Sequence, residues 1–206
     1  MEIIKWKYGD QQTVIDKKIA IAIGNFDGVH KGHVKLLEAV KLKAHEDNLA
    51  FGVVTFDPHP RDFFSSKKSS FKLLDRQEKE YQLAKIGVEY LIIIEFSEEL
   101  KNCTANEFLL DILYKQLNVV KMFAGSNFRF GKNREGTIKN SKEFSYSIGL
   151  EISAVDLEQT SSLNIKDEIV ISSQSIRGLI SDGELETASK LLGRNWGVTG
   201  VVKKGK

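Results

Sequence analysis

Hydrophobic and polar positions along this chain follow two periods. Short runs that are apolar at nearly every position mark strands buried on both faces, and stripes recurring every three to four residues mark helices with one covered side. Ile19–Gly24 is the first such run, and Phe51–Phe56, Tyr90–Ile94, Val119–Ala124 and Leu150–Val155 follow it. Between the first two runs, Lys31–His45 predicts a helix with a stripe of Val34, Leu37, Val40 and Leu42. Asp75–Ile86 predicts a second, with Asp75 as its N-cap and Gly87 as its stop. Thr104–Leu117 predicts a third, because Thr104 and Glu107 have the spacing of a capping box. Near the end, Gly183–Gly193 predicts another, lined by Leu185, Ala188 and Leu192 and closed by Gly193. Strands and helices in alternation argue for an α/β architecture, an open and mostly parallel sheet covered by helices. Tyr90–Ile94, apolar on both faces, reads as a central parallel strand.

Three stretches fall outside this alternation. Ser65–Ser70 is small and polar and reads as a mobile surface segment. Asp156–Asp167 has an irregular polar character and reads as a hairpin excursion. Trp196–Lys206 begins a β-like run at Val198, Val201 and Val202 and then stops, as the first strand of a further domain would. The 206 residues suit one domain of ordinary size, and 41% hydrophobic with 28% charged residues is usual for a globular protein. A formal net charge of +2 supplies no basic field, which argues against a nucleic-acid partner. A single cysteine, Cys103, makes no internal disulfide and points to a reducing compartment. Met1–Lys7 lacks the apolar core of a signal peptide, and no run approaches the roughly 20 apolar residues of a membrane span. The expectation is a cytoplasmic protein with no membrane partner; oligomeric state leaves no mark in the sequence.

The densest chemistry lies where the first strand hands over to the first helix, in Ile21–His33. Gly24, Gly28 and Gly32 allow close approach of the backbone, and a helix N-terminus at a sheet edge favours phosphate. His30 and His33 are three residues apart, so their imidazoles share one face of the first turn and can reach the same phosphate chain. The segment is suited to hold a nucleotide. Zinc wants three or four ligands, and His45, His59 and Cys103 stand in unrelated contexts, so no metal site is predicted. Two roles stand open for Asp27: a cap for the helix, or a support for one of the histidines.

Four segments together resemble the bacterial bifunctional riboflavin kinase/FAD synthetase family, in its N-terminal FMN adenylyltransferase module. They are Gly24–His33, Thr55–Arg61 (Thr-Phe-Asp-Pro-His-Pro-Arg), Gly125–Gly131 (Gly-Ser-Asn-Phe-Arg-Phe-Gly) and Ile171–Arg177, the last followed by Leu191-Leu192-Gly193-Arg194. The likeness runs from about Ile19 to Trp196. It implies a Rossmann-like sheet with helices on both faces, of the H-x-G-H nucleotidyltransferase type, over residues 1–195, with 196–206 opening an absent barrel or linker. It implies the reaction FMN + ATP → FAD + pyrophosphate, with ATP and FMN as substrates and Mg²⁺ held mainly by the ATP phosphates. The attacking phosphate oxygen is already anionic, so catalysis rests on alignment and charge neutralisation rather than on a strong base.

By the same resemblance His30, His33, Ser173 and Arg177 are catalytic. ATP is held by Gly24, Asn25, Phe26, Asp27, Gly28, Gly32 and Ser172 together with those four. The flat flavin ring wants aromatic and proline surfaces, which assigns FMN to Phe56, Asp57, Pro58, His59, Pro60, Phe64, Asn127, Phe128 and Phe130, with Phe63 as an alternative flank. Ser172 or Ser173 also suits a helix cap. Two departures stand out. Gln174 replaces a threonine common in the family, and the chain ends where the family's riboflavin kinase barrel begins, so kinase activity is not expected of these residues. Rival readings are another H-x-G-H nucleotidyltransferase, which would not carry Thr55–Arg61 and Gly125–Gly131 in this form, and a catalytically weak flavin- or nucleotide-binding regulator suggested by Gln174.

Overall fold

Five consecutive buried residues make Ile19–Ile23 the centre of a sheet, and the other strands assemble around it. The computed structural model describes residues 1–10, 15–64, 71–155 and 170–203; the readings for Ser65–Ser70 and Asp156–Asp167 lie outside them. The strands are β1 (Glu2–Trp6), β2 (Ile19–Ile23), β3 (Ala50–Asp57), β4 (Tyr90–Glu95), β5 (Val119–Gly125) and β6 (Glu151–Val155). They form a single sheet in the order β1-β4-β3-β2-β5-β6, with every pairing parallel. Five of the six follow the apolar runs. The sixth, β1, does not announce itself, because only Ile4 and Trp6 point inward while Glu2, Ile3 and Lys5 are exposed. It pairs with β4 from Glu2 opposite Tyr90 to Trp6 opposite Ile94. That pairing explains why β4 reads as a central strand.

Alternate residues of β2 supply two cores. Ile19, Ile21 and Ile23 join a layer with Phe108, Leu109, Ile112 and Leu113, while Ala20 and Ala22 face Leu36, Leu37, Val40 and Ala44. The second layer is α1 (Lys31–Glu46) and α3 (Arg76–Ile86). The first is α5 (Ala105–Glu107), its π-helical continuation Phe108–Gln116, and α6 (Ile138–Ser147). Here α2 is Pro60–Phe64 and α4 is Glu98–Asn102, both short. Helices therefore cover both faces. A third, smaller core joins α7 (Ser173–Ser181) and α8 (Leu185–Leu192) through Ile176, Ala188, Leu191 and Leu192, with Leu73, Ile171 and Trp196 packed on it.

Local chemistry sets the boundaries. Asp75 caps α3 by accepting from the Glu78 amide, and Gly87 ends it at φ 98°. Thr104 and Glu107 form the anticipated capping box, but the helix then widens, so that Leu117 N–H donates to the Ile112 carbonyl at 3.0 Å. One expectation fails: Leu42 is 62% exposed. It lies two residues, or about 200° around the axis, from Val40, so it cannot share the buried stripe of Leu36, Leu37, Val40 and Ala44. Residues 196–203 form neither strand nor helix.

The order matters for function. From β2 the chain steps through β3 to β4 on one side, then returns to β5 on the other. In open parallel sheets such a reversal leaves a crevice outside the carboxyl ends of the strands, where ligands collect.

Candidate active site

The turn from β2 into α1 fills that crevice. Phe26, Gly28 and Val29 all have positive φ, at 49°, 87° and 37°. Glycine takes this conformation freely, whereas a β-branched residue such as Val29 adopts it only when its surroundings hold it there. Those surroundings are carbonyl partners. The Asn25 carbonyl accepts from Lys79 Nζ at 3.0 Å and Thr55 Oγ1 at 3.3 Å. Ser173 Oγ donates to the Asp27 carbonyl at 2.7 Å. Arg194 donates to the carbonyls of Gly28 at 2.6 Å and Val29 at 3.2 Å. The amides of Asn25, Phe26, Asp27 and Gly28 donate no hydrogen bond among the described residues. Free amides at a helix N-terminus suit an anion.

His30 itself caps α1, its Nδ1 accepting from the His33 amide at 3.3 Å. That bond requires Nδ1 to be unprotonated, which leaves Nε2–H as the donor of the neutral ring. The His30 and His33 rings stack with centroids 3.6 Å apart, and Phe26 lies against His33 at 5.1 Å. Burial pushes His30 down to about 4, with the Arg194 charge adding to the effect and Asp27 opposing it. Burial, then the neighbouring His30 and Lys79, hold His33 well below its ordinary value. Both imidazoles are therefore neutral at pH 7. His33 Nδ1 and Asn25 Oδ1 are buried without a hydrogen-bond partner among the described residues.

Asp27 neither caps α1, whose cap is His30, nor hydrogen-bonds to a histidine among the described residues. Its buried carboxylate accepts from the amides of Leu73 and Leu74 and pairs with Arg177 Nη2. Arg177 further donates to the carbonyls of Phe71 at 2.8 Å and Ser173 at 3.3 Å. Its guanidinium thus ties the nucleotide loop to α7 and to the segment before α3. Ser172 caps α7, in a box with Ser175.

A cleft of about 1220 Å³ opens in front of these groups. Along one part stand Gly24, Asn25, Phe26, Asp27, His30, His33, Ser172, Ser173, Gln174 and Arg177; along another stand Phe56, His59, Pro60, Phe64, Asn127, Phe128 and Phe130. The structure thus brings both predicted sets to one cavity. Gly28, Gly32 and Pro58 do not line it, and Asp57 lines a smaller side chamber of about 110 Å³ that shares Asp27 and Arg177 as a wall. Gly32 lies behind the cap: a Cβ there would sit 3.3 Å from His30 Nδ1.

Sequence reasoning missed several groups. Phe96 bridges the aromatic end, with its ring 5.2 Å from Phe63, 5.8 Å from Phe64 and 6.2 Å from Phe56. Lys101, Arg129, Lys132 and Arg134 also line the cleft, and Lys79 and Arg194 brace its loop. For Arg194 a signal existed, since it closes the stretch that follows the fourth matching segment; Lys79 is one of two lysines on α3 and carried none.

An open parallel α/β sheet with helices on both faces and a stacked histidine pair at its order reversal defines a Rossmann-like protein. The chain belongs to the FAD synthetase family, whose sequence profile matches residues 12–173. It is 34% identical over 191 residues to a bifunctional riboflavin kinase/FMN adenylyltransferase of Buchnera aphidicola, covering 93% of this chain and 60% of that relative. It is 33% identical over 194 residues to an FAD synthetase of Listeria monocytogenes, covering 92% of this chain and 75% of that relative. The corresponding bifunctional protein of Escherichia coli is 34% identical, with 90% of this chain and 57% of that relative covered. This chain therefore spans a little under three-fifths to three-fifths of the bifunctional relatives. A solved structure described as a macrolide-efflux protein from Streptococcus pneumoniae superposes with a TM-score of 0.77 at 28% identity, over 93% of this chain and 60% of that one. Among the described residues, no helix is long and apolar enough to cross a membrane.

Proposed function

We propose that this chain is an FMN adenylyltransferase, joining AMP from ATP to the phosphate of FMN and releasing pyrophosphate. The observation that carries the reading is the neutral, stacked His30–His33 pair beside free loop amides, in one cleft with an aromatic wall. In the proposed reaction an FMN phosphate oxygen attacks the α-phosphorus and the bond to the pyrophosphate oxygen breaks. Charge grows on the leaving group, and neutral N–H donors fixed in a half-buried site stabilise it with little reorganisation. His30 offers Nε2–H for this, and Ser172 and the amides of Asn25–Gly28 extend the cradle, while Ser173 steadies the loop by donating to the Asp27 carbonyl. Arg177 acts here as the residue that holds Asp27 and Ser173 in register and lends positive charge to the triphosphate end.

The aromatic end supports a flavin. Phe56, Phe64, Phe128 and Phe130 provide apolar ring faces, His59 and Pro60 shape the edge, and Asn127, exposed at the strand end, supplies an amide for the phosphate or ring edge. No group of three or more metal-ligating side chains exists among the described residues, and Asp27 has both oxygens engaged. This donor set suits Mg²⁺ that arrives on the phosphates, where it would neutralise charge and orient the leaving group. A single cysteine, Cys103, which makes no internal disulfide, supports a reducing, cytoplasmic setting. Incubation with FMN, ATP and magnesium, followed by chromatography, should yield FAD. Absence of FAD from properly folded protein refutes the reading.

A further inference from the structure

We propose that Arg194 is a positioning residue for His30, locking the two peptide groups that precede it. The inference rests on the adenylyl-transfer reading for its kinetic consequence, though not for its structural one. Arg194 follows the C-terminal end of α8, far along the chain from the nucleotide loop. Its guanidinium forks: Nη2 donates to the Gly28 carbonyl at 2.6 Å, and Nη1 to Val29 at 3.2 Å and to the local Leu192 carbonyl at 3.3 Å. The bond to Leu192 anchors the fork to α8, so the loop is fastened to a packed element rather than to a free side chain.

The loop needs such a fastening. Gly28 and Val29 both have positive φ, and for Val29 this costs energy that the unrestrained chain would release. His30 comes next, with its ring orientation set by its cap bond to His33 and by the stack with that ring. Rotation of the Gly28 or Val29 peptide would swing His30 away from the cleft. Displacements of about 1 Å in a reacting group cost on the order of 100-fold in rate. The planar fork of arginine can hold two carbonyls at once, which a lysine ammonium on a flexible stem does less well. The charges facing the histidine pair are Asp27, Arg194 and Lys79, and the Arg194 charge lowers His30 while Asp27 raises it.

Arg194→Met and Arg194→Lys test the proposal in the full chain, with folding checked by circular dichroism and thermal melting. The Met variant should lose at least about 10-fold in kcat for FAD formation with KM for ATP changed by less than about threefold. Its His30 titration, followed by NMR and assigned with His30→Gln, should move upward because a nearby cation is gone. The Lys variant should keep the His30 midpoint close to that of the unaltered chain and still lose most of the rate. A Met variant with kcat within twofold overturns the proposal, as does a rate loss that merely tracks the fraction unfolded while the His30 midpoint stays put. If the unaltered chain makes no FAD, the proposed reaction fails. The His30 midpoint in the Met variant then still decides whether Arg194 acts on that ring.

Discussion

At the scale of single residues, the two histidines behave as one unit. Burial keeps each of them neutral, with Arg194 adding to the effect at His30 and the neighbouring His30 and Lys79 adding to it at His33. An anion beside the pair would raise both titrations, since it favours the protonated form of an imidazole. Replacing both, His30→Ala with His33→Ala, should remove FAD formation. The loss of the helix cap should cost about 1 kcal/mol of stability, leaving the fold intact; undiminished turnover by chromatographic assay refutes the assigned roles. Acid stability follows from the same burial. The unfolded chain protonates His30 near its ordinary 6.5, whereas the folded chain resists until about 4. Below 6.5 the unfolded state binds the extra proton, so stability falls as pH drops from about 6.5 to about 4. Urea midpoints measured across that range should decline, and the decline should shrink in His30→Gln. A midpoint indifferent to the substitution contradicts the buried neutral imidazole.

At the scale of elements, the nucleotide loop is shaped by tight steric limits. Gly28 sits at φ 87°, and a Cβ there would lie 2.8 Å from Leu73 Cδ1. Gly28→Ala should destabilise the chain by about 1 kcal/mol or more through backbone strain alone, with activity reduced further as the loop shifts. Thermal melting and the FAD assay read the two effects separately, and an unchanged melting temperature counts against the strain. Capping boxes carry a comparable load. Thr104 starts the helix that ends the aromatic side of the cleft, and Thr104→Ala should lower stability by about 1 kcal/mol in denaturant titration. Much of this was visible in the chain itself: the Thr104–Glu107 spacing, the Asp75 cap and the Gly87 and Gly193 stops are all local signals. The π-helical widening of Phe108–Gln116 was not, because an i to i+5 bond leaves no periodic mark over nine residues.

At the scale of the whole molecule, the core is two-sided, and β2 and β4 transmit it. Ile92 is fully buried between helical layers, so Ile92→Ala should cost about 2–5 kcal/mol in urea unfolding, and a cost near zero would mean that β4 is not central. The alternation of apolar runs with amphipathic helices determined the parallel sheet, since only strands covered on both faces carry such runs. The glycine-flanked histidine pair, by itself, marked the first turn as the candidate phosphate cradle. What the chain could not reveal was set by distance in sequence. β1 was hidden because an edge strand needs only two inward residues, Ile4 and Trp6, and their meaning depends on a partner nearly ninety positions away. Leu42 was misplaced because a list of apolar residues does not fix which side of a helix meets the sheet. Asp27 had no readable role until Leu73, Leu74 and Arg177 closed around it. Likewise Arg194 and Lys79 became part of the site only when folding carried α8 and α3 to the back of one short loop. Local spacing records what neighbouring residues do to one another; contacts between remote segments exist only after the chain has packed.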